Sequence, residues 1–423
     1  VTGSQGVFRH WATLRQLPDL PGVVRLLVAT QLAFNIGFYL VLPYLAGHLT
    51  ADLALGGAVV GLVLGLRTFS QQGLFVVGGV LTDRFGAKPV ILAGCALRVA
   101  GFVLLGLATT LPGVLGGAVL TGFAAALFSP AVESALAGEA GELERDGRVR
   151  RSDVFALFAV AGEVGAVTGP LLGAALLGVD FQLVCLVAAA LFVVIGIAHA
   201  QALPARPAAH AAEPVLAGWR EVLGNRTFLL FAAGYSGYLL CYNQLYLALP
   251  FELRRAAGDE AALGPLFALA SLMIVLGQLP VASWARGALG HGRGLVIGFA
   301  TMSAAFLSVA VLRPLPGTLL PAIALVVLLT AGQMLVVPLA QDLVPRLAGE
   351  RRLGSYFGVL SSAGGLAVLV GSAGTGALLD ASSAWPPLPW LALAAVPLAG
   401  AAVLGRMARR GALAGGAAHR DAP

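Results

Sequence analysis

Long uninterrupted apolar runs constrain this chain more than any motif in it. Crossing the hydrocarbon core of a bilayer takes about 20 predominantly apolar residues in one helix. Runs of that kind lie at roughly 23–48, 56–81, 89–109, 112–138, 153–178, 181–202, 226–250, 261–285, 293–312, 317–342, 353–379 and 387–407. They are continuous rather than alternating, which excludes the closed barrel, the other architecture that satisfies its backbone inside lipid. A soluble domain carries about a quarter charged residues, whereas this chain carries 11% and is 58% hydrophobic. The expected fold class is an all-α polytopic membrane protein with twelve transmembrane helices.

The longest connector, "ALPARPAAHAAEPVLAGWREVLGNR", follows the sixth run and divides the chain into two groups of six. The groups read as copies. "YLVLPY" at 39–44 is echoed by "YLALPF" at 246–251, "SPAVES" at 129–134 by "VPLAQD" at 337–342, and "VFALFAVAG" at 154–162 by "YFGVLSSAG" at 356–364. Parallel repeats related by an axis along the membrane normal are one plan of secondary transporters. The expected organisation is an N-terminal segment (1–22), a first half (23–202), a linker (203–225), a second half (226–407) and a tail (408–423).

Basic residues sort to one side. With the N-terminus inside, the connectors carrying Arg84, Lys88, Arg145, Arg148, Arg150, Arg151, Arg286, Arg293, Arg346, Arg351 and Arg352 are all cytoplasmic, and only Arg254, Arg255 and Arg313 fall outside. The positive-inside rule then sets both termini in the cytoplasm. It also accounts for a net charge of +6 without a nucleic-acid partner, for which no basic soluble face exists. The first twenty residues, with Arg9, Trp11, Arg15 and Pro18, lack the apolar core of a cleavable signal. Cys95, Cys185 and Cys241 lie inside apolar runs, an arrangement that suits inert buried thiols rather than a disulfide framework. No phosphate-binding G-x-x-x-x-G-K-[ST] loop occurs and the histidines show no ligand spacing, so neither a cofactor nor a metal is expected.

The connector between the second and third runs reads "GGVLTDRFGAKP". It resembles the signature loop of the major facilitator superfamily, G-x-L-x-D-R-x-G-x-K, through Gly79, Leu81, Asp83, Arg84, Gly86 and Lys88, with Ala87 in place of a usual basic residue. The glycines would let backbones approach and turn. The resemblance implies that Asp83 packs against the positive end of the eleventh helix and that the basic residues meet acids ending the fourth helix (Glu133 or Glu139 here); in the internal repeat, Asp342, four residues after Pro338, holds the place of Glu133, three after Pro130. Together these form an inner-gate latch. The corresponding loop of the second half, "PVASWARGALGHGRG", has no Asp, so the latch is one-sided.

"GAVTGPLLGA" in the fifth run, with Gly165, Gly169, Pro170 and Gly173, resembles the G-x-x-x-G-P-x-x-G element of the superfamily's exporters. The glycines make a small-residue ridge and Pro170 a kink. The resemblance implies a seal at the seam between the halves. "GLRTFSQQGLFVVGGVLTDRFGAKPV" is similar to the twelve-span bacterial drug:proton antiporter branch, whose span-four arginine motif is not evident in "TGFAAALFSPAVES".

Ionisable groups at membrane depth are costly and commonly functional. Arg98 and Glu163 lie at similar depths on the third and fifth spans, counted at about 1.5 Å per residue, so an ion pair between them is geometrically possible, with Arg67 as the rival partner. Glu163 is the candidate proton carrier, a permanent structural pair being the alternative. The substrate-cavity candidates are Gln31, Phe34, Asn35, Phe38, Gln71, Tyr238, Tyr242 and Asn243, a mixed aromatic and polar set suited to an amphipathic organic molecule. Tyr39 and Tyr246 are equally well read as interfacial anchors. The expected protein is a monomer of the bacterial plasma membrane that exports drug-like or natural-product compounds by alternating access, with protons as the coupled ion. A sugar or nutrient symporter of the same fold and a non-transport membrane sensor are the alternatives.

Overall fold

The computed structural model describes residues 20–177, 180–205, 221–313, 318–349, 352–383 and 385–413. Residues 1–19, 206–220 and 414–423 lie outside them, and with them most of the expected N-terminal segment, linker and tail. Thirteen long helices follow in order: α1 (Gly22–Ala51), α2 (Gly57–Gln72), α3 (Phe75–Phe85), α4 (Ala87–Leu107), α5 (Leu111–Arg145), α6 (Arg151–Leu177), α7 (Phe181–Ala202), α8 (Arg226–Ala257), α9 (Leu263–Trp284), α10 (Gly290–Leu312), α11 (Leu320–Leu347), α12 (Leu353–Asp380) and α13 (Leu388–Arg409). There is no strand among the described residues.

The expected spans map onto these helices in order, and the second is broken into α2 and α3. Gly73 closes α2 by donating to the Phe69 carbonyl at 2.7 Å, and the chain turns once before α3 begins. Ten stretches are long and apolar enough to cross a membrane, and one of them, Leu263–Leu312, runs through α9 and α10 without a break. The π-helical turn Ala285–Leu289 joins those two helices. α8 falls outside that set because Tyr235, Tyr238, Tyr242, Asn243 and Gln244 interrupt its apolar character. Many large apolar side chains point outward, among them Val194, Leu276, Val311 and Val370, each more than 60% exposed. A water-facing surface of that kind would aggregate; a lipid-facing one is satisfied.

The chain divides into two compact units, Val1–Tyr44 with Val77–Glu213 and Leu45–Val76 with Pro214–Pro423. Unit one is organised by rings. Phe34 stacks on Phe128 at 5.0 Å, and Phe192 stands edge-on to Phe34 at 5.7 Å. Small residues bring its helices together: a methyl at Gly101 of α4 would lie 2.7 Å from Thr121 Cγ2 of α5, and one at Gly117 of α5 would lie 2.8 Å from Leu105 Cγ of α4.

Unit two is organised by a small-residue seam between α2 and α12. A methyl at Gly57 would lie 2.6 Å from the Gly376 carbonyl oxygen, one at Gly61 would strike the Ser372 carbonyl, and one at Gly65 would lie 2.9 Å from Leu369 Cα. The seam continues as Gly365 of α12 comes against the backbone of Gly73, with 3.3 Å from its would-be methyl to the Gly73 nitrogen. Helices that approach this closely gain dispersion and Cα–H···O contacts that lipid cannot replace. Elsewhere in unit two, Asn225 caps α8 by accepting from Phe228 N at 3.0 Å, and donates to the Leu347 carbonyl at 3.0 Å and to Tyr356 Oη at 3.2 Å. One residue thus ties the starts of α8 and α12 to the end of α11.

Candidate functional site

Arg98 of α4 is 1% exposed. Its guanidinium lies over four rings from three helices: Phe34 at 4.7 Å, Phe102 and Phe192 at 5.2 Å each, and Phe38 at 5.8 Å. Its Nη1 donates to the Thr121 carbonyl at 2.6 Å. Each desolvated cation–ring contact contributes roughly 1–2 kcal/mol, so the cage compensates much of the burial of this charge. Glu163 of α6 is half-buried and engages no ion-pair or hydrogen-bond partner among the described residues. The possible Arg98–Glu163 pair is therefore not formed, and Arg67 is buried in unit two. Similar depth does not fix the direction in which two helices turn their side chains.

The cage also corrects the reading of Phe34. It is enclosed by Phe128, Phe192 and Arg98, at 8% exposure, and is a core residue rather than a ligand contact. Asn35 and Gln31 brace α6: Asn35 Nδ2 donates to the Gly162 carbonyl at 2.8 Å, and both amides crowd the place a Gly162 methyl would take.

The exporter-type ridge packs on α1. A methyl at Gly165 would lie 2.5 Å from the Leu32 carbonyl oxygen, one at Gly169 2.9 Å from that of Ile36, and one at Gly173 2.6 Å from that of Leu40. Tyr44 Oη donates to the Pro170 carbonyl at 2.6 Å. These residues make a close-packed seam between α1 and α6 inside unit one.

The signature loop spans the junction of α3 and α4. Gly86 takes φ 83°, a left-handed conformation that suits glycine and turns the chain into α4. Gly79 has open space where its side chain would be, and the close approach belongs to its neighbour Gly78, which abuts the Ala126 carbonyl of α5. Asp83 and Arg84 are exposed, with Arg84 over the ring of Phe85 at 5.6 Å, and Asp83 has no hydrogen-bond or ion-pair partner among the described residues. Lys88 donates to the Ala200 carbonyl at 2.8 Å. Glu133 is exposed. In unit two the matching acid is engaged: Asp342 lies 3.4 Å from Arg286 Nη1 and 3.6 Å from His291 Nε2. The second-half loop lacks the Asp but keeps a basic contact to the acid that ends the tenth span.

Unit two gathers the remaining cavity candidates. Phe231, Tyr235, Tyr238 and Tyr242 form one stripe on α8, with successive ring centroids 6.0, 5.4 and 6.3 Å apart. Beside the stripe, Asn243 accepts a hydrogen bond from Thr68 Oγ1 at 3.3 Å. This contact fastens α2 to α8, with Gln71 one turn further along α2. Tyr242 and Gln71 are half-buried. Tyr246 contacts Phe267 at 5.2 Å, and is a packed residue in this unit. Thr68 and Tyr235 were not expected; Tyr235 was legible from the 4-3-4 spacing of the aromatic residues, whereas Thr68 gave no signal.

Comparison with known proteins agrees with this architecture. Residues 27–372 match the Major Facilitator Superfamily. An uncharacterized MFS-type transporter of Mycobacterium tuberculosis is 40% identical over 368 residues, covering 85% of this chain and 86% of the relative. The multidrug resistance protein MdtH of Salmonella arizonae is 34% identical over 363 residues, covering 85% and 87%. Among solved structures, an auto-inhibited POT family peptide transporter superposes with a TM-score of 0.75 at 16% identity, over 92% of this chain and 97% of its own. The nucleoside transporter NupG superposes with a TM-score of 0.76 at 13% identity, over 91% and 100%; at such identities both speak to fold alone. Long apolar helices, a signature loop and matches across most of the chain lead to one conclusion: the chain belongs to the Major Facilitator Superfamily, and is a multi-pass secondary transporter rather than an enzyme.

Proposed function

We propose that this transporter exports amphipathic, drug-like or natural-product compounds across the bacterial plasma membrane in exchange for protons. It acts as a monomer with both termini in the cytoplasm, and alternates access by rocking the halves 23–202 and 226–407. The observation that carries the substrate class is the α8 stripe. Stacked tyrosines beside the Thr68–Asn243 bond and Gln71 offer flat apolar faces with a few fixed polar groups, the composition of a site for amphipathic organic molecules. The likeness to the multidrug resistance protein MdtH supports the same class of compound. Glu163 supplies a carboxyl at membrane depth with no fixed cation beside it, as a group that loads and releases protons requires. The basic connectors support the orientation.

The test is proton movement in proteoliposomes under an imposed pH gradient, with a panel of lipophilic cations and antibiotics, for the wild type and Glu163→Gln. Substrate-triggered proton flux that disappears in Glu163→Gln is expected. Flux that survives the substitution would remove Glu163 from coupling. Absence of substrate-linked flux with every compound would sink the export reading and bring forward symport of a nutrient.

A further inference from the structure

Two carboxylates from the C-terminal helices grip the place in unit two where α1 ends and α2 begins. Asp380, the last residue of α12, accepts from Gly57 N at 2.8 Å and from Ala58 N at 3.2 Å. These amides open α2 and have no partner within it, and the N-cap position, Gly56, has no side chain to serve them. Asp380 does from another helix what a local N-cap does.

Glu260 makes the second contact, from the turn between α8 and α9. Its carboxyl lies flat on α1 at Gly47, where a methyl would fall 2.7 Å from Glu260 Cδ and still nearer to its oxygens. The side chain is only 10% exposed. Arg254 of α8 places Nε 3.3 Å from Oε1, yet Oε1 receives no hydrogen bond of good geometry, and Arg254 Nη1 also reaches toward the Gly47 carbonyl at 3.5 Å. The other charged neighbours are acids: Asp259 beside it in the turn, and Asp52 just past α1, which His48 holds at 2.6 Å. The N-terminus of α9, from Leu263, brings no charged group. The seat is dry, close to bare backbone and weakly served by hydrogen bonds, and it suits a neutral carboxyl better than a carboxylate.

We propose that Glu260 is a proton-binding site that holds the α1–α2 hairpin to the C-terminal helices when protonated and releases it when ionised. Burial pushes its carboxyl up from 4.5 to about 7; Arg254 opposes the shift, and Asp259 and Asp52 add to it. A group bound more tightly to its proton in the seated state favours that state at low pH. The grip is at full strength below the ordinary carboxyl value, weakens as the pH rises above 4.5, and has lost the whole contribution once the pH passes about 7. Tenfold per pH unit over that interval is a change of roughly 300-fold in the clasped-to-released ratio. Connections alternate sides along successive spans, so on the positive-inside reading this hairpin faces outside, where a proton-driven transporter meets its driving ion. The site does not depend on the export reading, since a nutrient symporter would show the same titration.

The experiment uses the full chain in lipid nanodiscs, with spin labels on cysteines introduced at the exposed positions Ala51 and Ala261. Distances are read by double electron–electron resonance from pH 5 to pH 9. The wild type is expected to show one short distance at pH 5 and a longer population growing in with a midpoint between 4.5 and about 7. Glu260→Gln should keep the short distance throughout, Gly47→Ala should displace the carboxyl and move the midpoint toward acid, and Glu163→Gln should titrate like the wild type. A wild-type distance that ignores pH, or Glu260→Gln titrating as the wild type does, overturns the proposal. So does a response that Glu163→Gln alone abolishes, an outcome that leaves the antiport reading standing.

Discussion

Gly78 and Gly79 stand side by side in α3 and should respond oppositely to the same methyl group. At Gly78 the added carbon would lie 2.8 Å from the Ala126 carbonyl carbon, 3.0 Å from Leu127 Cα, and closer still to the Ala126 oxygen. Carbon atoms in comfortable contact are about 3.5–4.0 Å apart, so α3 and α5 must separate by roughly half an ångström to one ångström. The atoms struck are backbone, and no side chain can rotate away. Overpacking of this kind costs about 1–3 kcal/mol, the upper end applying where a whole helix must shift. Alanine returns about 1 kcal/mol through its better helix propensity, leaving Gly78→Ala destabilised by up to about 2 kcal/mol. At Gly79 nothing lies within 4 Å, and only the gain remains. Thermal melting of both variants beside the wild type, in one detergent and lipid mixture, reads the difference directly. Gly78→Ala should melt several degrees below the wild type, and Gly79→Ala at or above it. Equal melting points, or a loss confined to Gly79→Ala, would refute the argument from packing.

Three further outcomes are expected. Asn225→Ala removes the α8 cap and two donated hydrogen bonds, and should lower stability by about 2 kcal/mol; Asn225→Asp keeps the cap but loses the donors, and should fall between in the same melt. Glu252 is fully buried, 2.5 Å from Arg255 Nη2 and 3.3 Å from Arg313 Nε, so Glu252→Leu strands two arginines and should cost about 3–5 kcal/mol, read as loss of monodisperse protein on heating and size-exclusion chromatography. Arg254 is the cation that lowers the Glu260 pKa; Arg254→Gln should move the distance titration to a midpoint above that of the wild type, and a midpoint shifted toward acid would contradict the assigned role.

Helix number and order were legible because an apolar run of membrane length has few alternative fates. Helix ends were less so. α5 continues to Arg145 and α8 to Ala257, beyond the apolar limits near 138 and 250, because hydropathy reports where lipid stops, whereas Glu139–Arg145 and Glu252–Ala257 are helix formers that continue the ladder in water. The break at Gly73 was hidden, since apolar character runs straight through it. The Arg98–Glu163 pair failed for a related reason: counting residues gives depth but no azimuth, and the rings that claim Arg98 come from positions 34, 38, 102 and 192, which no local pattern links. The grip of Asp380 on Gly57 spans 323 residues of sequence and was equally out of reach. The α8 stripe was open to view, because its spacing is local.

The α2–α12 seam has a kinetic consequence. Interfaces built from interlocking side chains must return each rotamer to its slot when they re-form, and ordering a long side chain costs about 1–2 kcal/mol of entropy. Where Gly57, Gly61 and Gly65 meet the backbone of Gly376, Ser372 and Leu369, glycine has no rotamer to order. Such a joint behaves like a pair of smooth bearing faces. It can part and close again without sorting side chains on the glycine face.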